Sequence, residues 1–245
     1  MADSYCVFDI ETAPLSWDSF DEAQHEYLLR GTTTEEEQNK KKGEMALSPI
    51  TAQVVCLGII HFEKDESGDF VEKKRTSYLQ DNSLAEGEFT SEDLPGGAKF
   101  VRCSEKTLLA NFWKLLRQYP KLHLISFNGR TFDAPFLMLR SAILRVRPSR
   151  NLMEGTRFNY PLHTDLIDEL CFYNGGQSGA TRRYNFDFFT KAFGIKSPKA
   201  EGVDGSKVAE YFRDGKGKEI AEYCLRDVQA TWELFLVWKE FLSLR

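Results

Sequence analysis

Two hydrophobic rhythms alternate along the chain. A period of two, rich in β-branched and aromatic residues, opens it at residues 4–8 and carries on into Asp9-Ile10-Glu11. Pro14 lacks the donor a ladder needs and closes that strand. Residues 53–62 and 70–79 are apolar or β-rich runs around a polar turn at 63–69, which predicts an antiparallel hairpin pairing with the first strand. Residues 122–127 and 161–166 add two more strands. The other rhythm is helical. Leu108, Leu109, Phe112, Trp113, Leu115 and Leu116 predict a helix over 104–119 that Pro120 stops. Shorter helices are expected at 133–145, 186–193 and 206–212. Ile220, Cys224, Val228, Thr231, Phe235, Trp238 and Leu242 trace the buried stripe of a long carboxyl-terminal helix. Strands followed by alternating helices give an α/β class, a mixed sheet of about five strands covered on both faces.

Two stretches fall outside both rhythms. Residues 34–37 read Thr-Glu-Glu-Glu, a capping-box pattern, and Glu36 and Glu37 stand four residues before Lys40 and Lys41, so 31–43 holds either an exposed helix or a disordered segment. Residues 81–97 are polar, end in Leu-Pro-Gly-Gly and read as a turn-rich loop without an apolar face. The 245 residues, 42% of them hydrophobic, suffice for one sizeable core and are taken as a single domain, 1–245, with 31–45 and 81–97 as inserted or flexible segments.

Carboxylates recur at informative places. Asp9 and Glu11, two apart on a strand, share one face at roughly 6.5–7 Å along the backbone. Tyr223 and Asp227 each precede a stripe position of the last helix, so this i, i+4 pair lies along one edge of its buried face. Asp133, followed by Ala134 and Pro135, has the context of a helix N-cap, and Asn128-Gly129 that of a turn after a strand. Taken singly, each has an ordinary explanation: a cap, a half-buried aromatic, a solvated charge. Together they matter more. Gathered carboxylates raise one another's pKa, and a fold that collects four of them generally has divalent cations to neutralise them.

The ordered set Asp-x-Glu (Asp9, Glu11), Asn-x-x-x-Phe-Asp (Asn128, Phe132, Asp133) and Tyr-x-x-x-Asp (Tyr223, Asp227) resembles the three exonuclease motifs of the DEDDy 3′→5′ exonucleases. It is most similar to the stand-alone exonucleases related to the proofreading domain of family-B DNA polymerases. The resemblance extends over residues 162–168, 194–199 and 203–206, and so from about residue 5 to 235. It implies a ribonuclease-H-like fold with the first strand central and the last helix beside it. It further implies that Asp9, Glu11, Asp133 and Asp227 hold two Mg²⁺ ions, for which Mn²⁺ can substitute, and that Tyr223 orients the attacking water. Glu222 stands where a histidine-bearing sister group would carry its histidine, which indicates the tyrosine branch. Thr12 and Leu15 fall at the spacing of residues that pack on the terminal nucleotide, and Asn128 and Lys199 complete the substrate-binding candidates. The implied activity is hydrolysis of terminal phosphodiesters of nucleic acid, DNA favoured and single-stranded or frayed 3′ ends preferred, releasing 5′-mononucleotides. The alternatives are an RNA-trimming exoribonuclease of the same group and a catalytically silent nucleic-acid-binding module.

Charge and cysteine content adjust this picture modestly. A net charge of −5 argues against duplex binding through many phosphate contacts, though cations bound at the carboxylates would reverse the local sign. Arg140, Arg145, Arg147, Arg150, Arg157, Arg182 and Arg183 make the half after the second motif the better candidate for phosphate contacts, and Lys196 and Lys199 could hold a substrate phosphate. Asp165 is read as either a helix cap or a further metal ligand, and His163 as a packed histidine. The five cysteines show no zinc spacing and read as reduced core thiols. With no leader and no apolar run near the ~20 residues that span a bilayer, the chain is expected to be a soluble cytoplasmic protein.

Overall fold

The computed structural model describes residues 4–197 and 205–243. Among these residues seven strands run in chain order as β1 (Ser4–Pro14), β2 (Ala52–Lys64), β3 (Phe70–Gln80), β4 (Phe89–Asp93), β5 (Lys99–Cys103), β6 (His123–Ser126) and β7 (His163–Asp165). The helices are α1 (Glu22–Leu28), α2 (Glu35–Glu44), α3 (Glu105–Gln118), α4 (Asp133–Ile143), α5 (Leu166–Leu170), α6 (Phe186–Ala192), α7 (Val208–Arg213) and α8 (Gly217–Phe241). The strands form one mixed sheet in the order β4-β5-β3-β2-β1-β6-β7. β1, β2 and β3 are antiparallel neighbours, whereas β6 joins β1 in parallel and β7 joins β6 in parallel.

Alternation along β1 assigns its two faces. Cys6, Phe8 and Ile10 enter the core built with Leu108, Phe112 and Trp113 of α3 and Phe136 and Leu137 of α4. Tyr5 and Val7 point the other way, against Val228, Trp232 and Phe235 of α8. Asp9 and Glu11 continue that second row, so the strand period itself aims both carboxylates at the side of the sheet that α8 covers. Between α3 and α4 the Trp113 indole donates to Ser141 Oγ at 2.7 Å. The buried Arg140 guanidinium also grips both oxygens of Glu105, at 2.6 and 2.9 Å.

Where expectation and structure differ, the cause is local. The sheet has seven strands rather than five, because β4 and β5 lie within and just after the stretch read as a loop. β4 is an edge strand exposed at every residue, so no alternation marks it. Nor does that stretch lack an apolar anchor: Leu94 is buried in the cluster that includes Ala98, Phe100 and Val208. Segment 31–43 takes the helical alternative as α2, whose Thr34 and Glu37 form a reciprocal capping box, and none of its residues is buried. The Glu37 carboxylate bonds to Thr33 and Thr34 rather than reaching Lys41. Arg140 and Arg150 are removed from the phosphate-contact candidates. The first is in the buried ion pair with Glu105, and the second donates to the carbonyls of Tyr119, Pro120 and Leu122.

Candidate metal and active site

Two pieces of backbone deliver the carboxylates. β6 pairs with β1 only from Tyr5 to Val7, so the second half of β1 has β2 on one side and no strand on the other. The Asn128–Asp133 turn fills that gap. Asp133 is not the N-cap its context suggested: Phe132 holds the cap position, and Asp133 Oδ1 instead accepts the Ile10 backbone N–H at 2.9 Å. The side chain supplies the acceptor that a neighbouring strand would have offered, and this draws the carboxylate to the level of Asp9 and Glu11. Behind the turn, the buried Asp165 accepts from Asn128 N at 2.7 Å and Arg130 N at 2.8 Å, and caps α5 through Ile167 N at 3.3 Å. Of its two readings, the structural one describes its contacts. His163 is likewise packed, sharing a 2.8 Å hydrogen bond with Ser126 Oγ, and burial pushes its pKa down to about 3.

α8 approaches from the other side, over a glycine. Gly58 sits opposite Asp9 in the β1–β2 ladder, and a Cβ there would lie 2.8 Å from Cys224 Sγ and 3.0 Å from Val228 Cγ2. The bare backbone therefore lets the helix settle directly above Asp9. Cys224 Sγ comes within 3.5 Å of the Asp9 carbonyl oxygen and 3.8 Å of Asp9 Oδ2. The two side chains flanking that thiol in the motif are Tyr223, 5% exposed, and Asp227, half-buried.

Electrostatics registers the convergence. Burial, then the charges of Asp133, Glu11 and Asp227, hold the Asp9 carboxyl well above the usual range. Burial and Asp227 do the same to Glu11. Asp133 is pushed up to about 7, mainly by burial, with the Ile10 N–H opposing and Asp165 and Asp227 adding. The Tyr223 phenol is raised by burial and by the Asp227, Glu11 and Asp9 charges, and it also hydrogen-bonds Asp227. Ligating atoms of Asp9, Glu11 and Cys224 lie within 4.8 Å of one another, a cluster able to hold a metal ion.

The substrate-side candidates are placed unevenly. Thr12 Oγ1 donates to the Ala46 carbonyl at 2.8 Å, tying the end of β1 to the turn after α2. Leu15 is half-buried, its backbone held by Thr51 O at 2.9 Å. Asn128 adopts a left-handed φ of 65° and accepts from Arg183 at 3.2 Å. Lys199 lies outside the described residues, and Lys196 is exposed beside Arg75 and Arg226 in a cleft of about 740 Å³ along α8. Two residues at the site were not among the site candidates read from the sequence. Gly58, a lone glycine inside an apolar strand, carried a signal of close approach by another element. Cys224 carried none beyond its place beside Tyr223.

Comparison with known proteins identifies the family and the fold. The profile of a family described as "predicted 3′-5′ exonuclease related to the exonuclease domain of PolB" matches residues 85–243. That of the DNA polymerase family B exonuclease domain matches residues 5–160. DNA polymerase 1 of Sulfolobus acidocaldarius is 28% identical over 137 residues, which are 54% of this chain and 15% of that protein. A DNA polymerase of Archaeoglobus fulgidus is 26% identical over 128 residues, 52% of this chain and 14% of the polymerase. The chain thus matches about a seventh of the length of these relatives. In fold, the family B DNA polymerase of Pyrobaculum calidifontis superposes with a TM-score of 0.57 at 18% identity, covering 98% of this chain and 25% of the polymerase. Among the described residues no helix is long and apolar enough to cross a membrane.

Proposed function

Since the chain belongs to the family of predicted 3′-5′ exonucleases related to the exonuclease domain of PolB, we propose that it hydrolyses the terminal phosphodiester at the 3′ end of a nucleic-acid strand and releases 5′-mononucleotides. The observation that supports this reading is the neighbourhood of Asp9 and Glu11, side by side on β1: Asp133 is tied to Ile10 between them, and the charge of Asp227 on α8 acts on Asp9, Glu11 and Asp133 alike. Such a cluster of hard oxygens suits divalent ions. Asp9, Glu11, Asp133 and Asp227 would hold two Mg²⁺, with Mn²⁺ able to substitute. When bound, the ions supply a water of lowered pKa and neutralise charge at the phosphate and the departing 3′ oxygen.

The chain's own residues do the rest. With Oδ1 engaged by Ile10 N–H, Asp133 has Oδ2 to offer. Tyr223, its pKa raised, stays protonated at neutral pH and acts as a donor that positions the attacking water rather than as the base. Leu15 gives the last base an apolar surface to pack on, while opening a duplex end costs unpairing energy. Frayed or single-stranded 3′ ends are therefore the preferred substrates. DNA is favoured over RNA because one matching family is the exonuclease domain of DNA polymerase family B and the matched relatives are DNA polymerases.

Matched DNA and RNA strands, labelled at the 5′ end and digested with Mg²⁺ or with EDTA, test the reading. Stepwise shortening from the 3′ end is expected with Mg²⁺ only, faster on DNA, with a 3′-phosphate protecting. Equal cutting of closed single-stranded circles would reassign the site to an endonuclease. Faster trimming of RNA would favour the exoribonuclease alternative.

A further inference from the structure

The proposed cation site has a donor that hard-ion hydrolysis does not call for. Cys224 projects its sulfur to 3.8 Å from Asp9 Oδ2, and the Glu11 carboxylate completes a trio of ligating atoms within 4.8 Å. For a tetrahedral ion bound at ~2.3 Å to sulfur and ~2.1 Å to oxygen, adjacent ligand atoms stand about 3.6 Å apart. The sulfur is therefore already at ligand spacing from Asp9. Glu11 supplies a second, separate observation: it is only 8% exposed, yet its carboxylate accepts no hydrogen bond among the described residues. A largely buried carboxylate with no protein donor, set within reach of a second carboxylate and a thiol, offers a coordination position. Gly58 makes room for the sulfur, since any Cβ there would press on it.

We propose that Asp9, Glu11 and Cys224 form a mixed oxygen–sulfur site for a thiophilic divalent cation of the Zn²⁺ or Cd²⁺ class, which competes with the hard ions of cleavage for the same two carboxylates. The thiol proton leaves to solvent as the sulfur–metal bond forms, with no change of oxidation state. A fourth position falls to water or to Asp227. Mg²⁺ gains nothing from sulfur and Zn²⁺ or Cd²⁺ gains a great deal, so one thiol shifts the balance between the two classes. The inference rests on the proposed function only in placing a cation between Asp9 and Glu11.

Cd²⁺ alone, titrated into metal-stripped full-length protein, gives a direct reading through the near-ultraviolet thiolate-to-metal charge-transfer band, with no substrate present. One equivalent should bring up the band in the wild type and in Cys56→Ser, and none should appear in Cys224→Ala or Cys224→Ser. Cd²⁺ affinity in both Cys224 variants should fall by more than the ~10–100-fold that loss of an outer-shell partner costs, while Mg²⁺ affinity holds. Glu11→Gln, which keeps the thiol, should weaken Cd²⁺ binding as well, so the idea stays exposed even where a Cys224 variant fails to fold. A wild type without the band, a band that survives in the Cys224 variants or follows Cys56, or Glu11→Gln binding Cd²⁺ unchanged would each overturn the proposal. Because the band needs no cleavage, a failed nuclease assay leaves it standing.

Discussion

Gly58→Ala is the sharpest test of how α8 reaches the site. The new Cβ would stand 2.8 Å from Cys224 Sγ and 3.0 Å from Val228 Cγ2, short of the ordinary ~3.5–4.0 Å contact by about 0.5–1.2 Å. Neither neighbour can swing clear: Cys224 and Val228 are both fully buried. The helix must retreat or the sheet must bow, at the ~1–3 kcal/mol typical of overpacking. Gly58 has no positive φ, so alanine recovers ~0.4–1 kcal/mol by restricting the unfolded chain, leaving a net loss of at most ~2.6 kcal/mol. Activity should suffer more. A shift of ~1 Å in Tyr223 and Asp227 relative to Asp9 corresponds to about a hundredfold in rate. Urea denaturation and single-turnover cleavage of a labelled strand measure the two effects. Adding Cys224→Ala to Gly58→Ala should return part of the stability, with a coupling of ~0.5–3 kcal/mol in the double-mutant cycle. A Gly58→Ala protein with wild-type midpoint and rate, or a strictly additive cycle, would refute the account of the helix seat.

Asp9→Ala and Asp227→Ala should each abolish nearly all Mg²⁺-supported cleavage and leave the fold intact, since relief of burial and repulsion offsets lost contacts; turnover of a folded variant within about tenfold of wild type would remove these residues from the site. Tyr223→Phe should slow single-turnover cleavage by roughly ten- to a thousandfold with metal affinity nearly unchanged, whereas Asp227→Asn should weaken metal binding; full activity of the phenylalanine variant would end the tyrosine assignment. The folded pKa of Asp133 is raised from 3.8 to about 7, so between those values the native state holds protons the unfolded state has released, and stability in EDTA should fall as pH rises through that window. Saturating Mg²⁺ or Asp133→Asn should flatten the slope in thermal unfolding, and a slope unchanged by both would contradict it. Asp165→Ala, which strips the acceptor from Asn128 N and Arg130 N, should cost ~1–3 kcal/mol in denaturant; loss of metal affinity at unchanged stability would make it a ligand after all.

What could be read without coordinates follows from which forces act locally. β1, its hairpin partners and α8 carry strong periodicity because each buries a continuous face, and the period of two also fixed Asp9 and Glu11 on one side. β4 escaped because an edge strand exposed throughout has no reason to alternate, and β5 because five residues ending at Cys103 are too few to establish a pattern. Asp133 looked like a cap because sequence shows only its chain neighbours. The Ile10 N–H it serves is 123 residues away and becomes available only because β6 stops pairing with β1 at Val7. The arginines divided for a similar reason: nothing around Arg140 announces that Glu105 is its buried partner, while Arg145, Arg147, Arg157 and Arg182 remain exposed.

The bond from Ile10 N–H to Asp133 turns a main-chain amide into a gauge. The usual acceptor along a ladder is a carbonyl of fixed charge, whereas this one belongs to a group that gains or sheds a proton within reach of neutral pH. The nitrogen and hydrogen of that amide should shift in a nuclear resonance spectrum whenever Asp133 is protonated or shares its density with a bound ion. A single labelled position midway along β1, on a residue that takes no part in chemistry, thus reports the charge state of the whole carboxylate group without a substrate, a dye or a mutation.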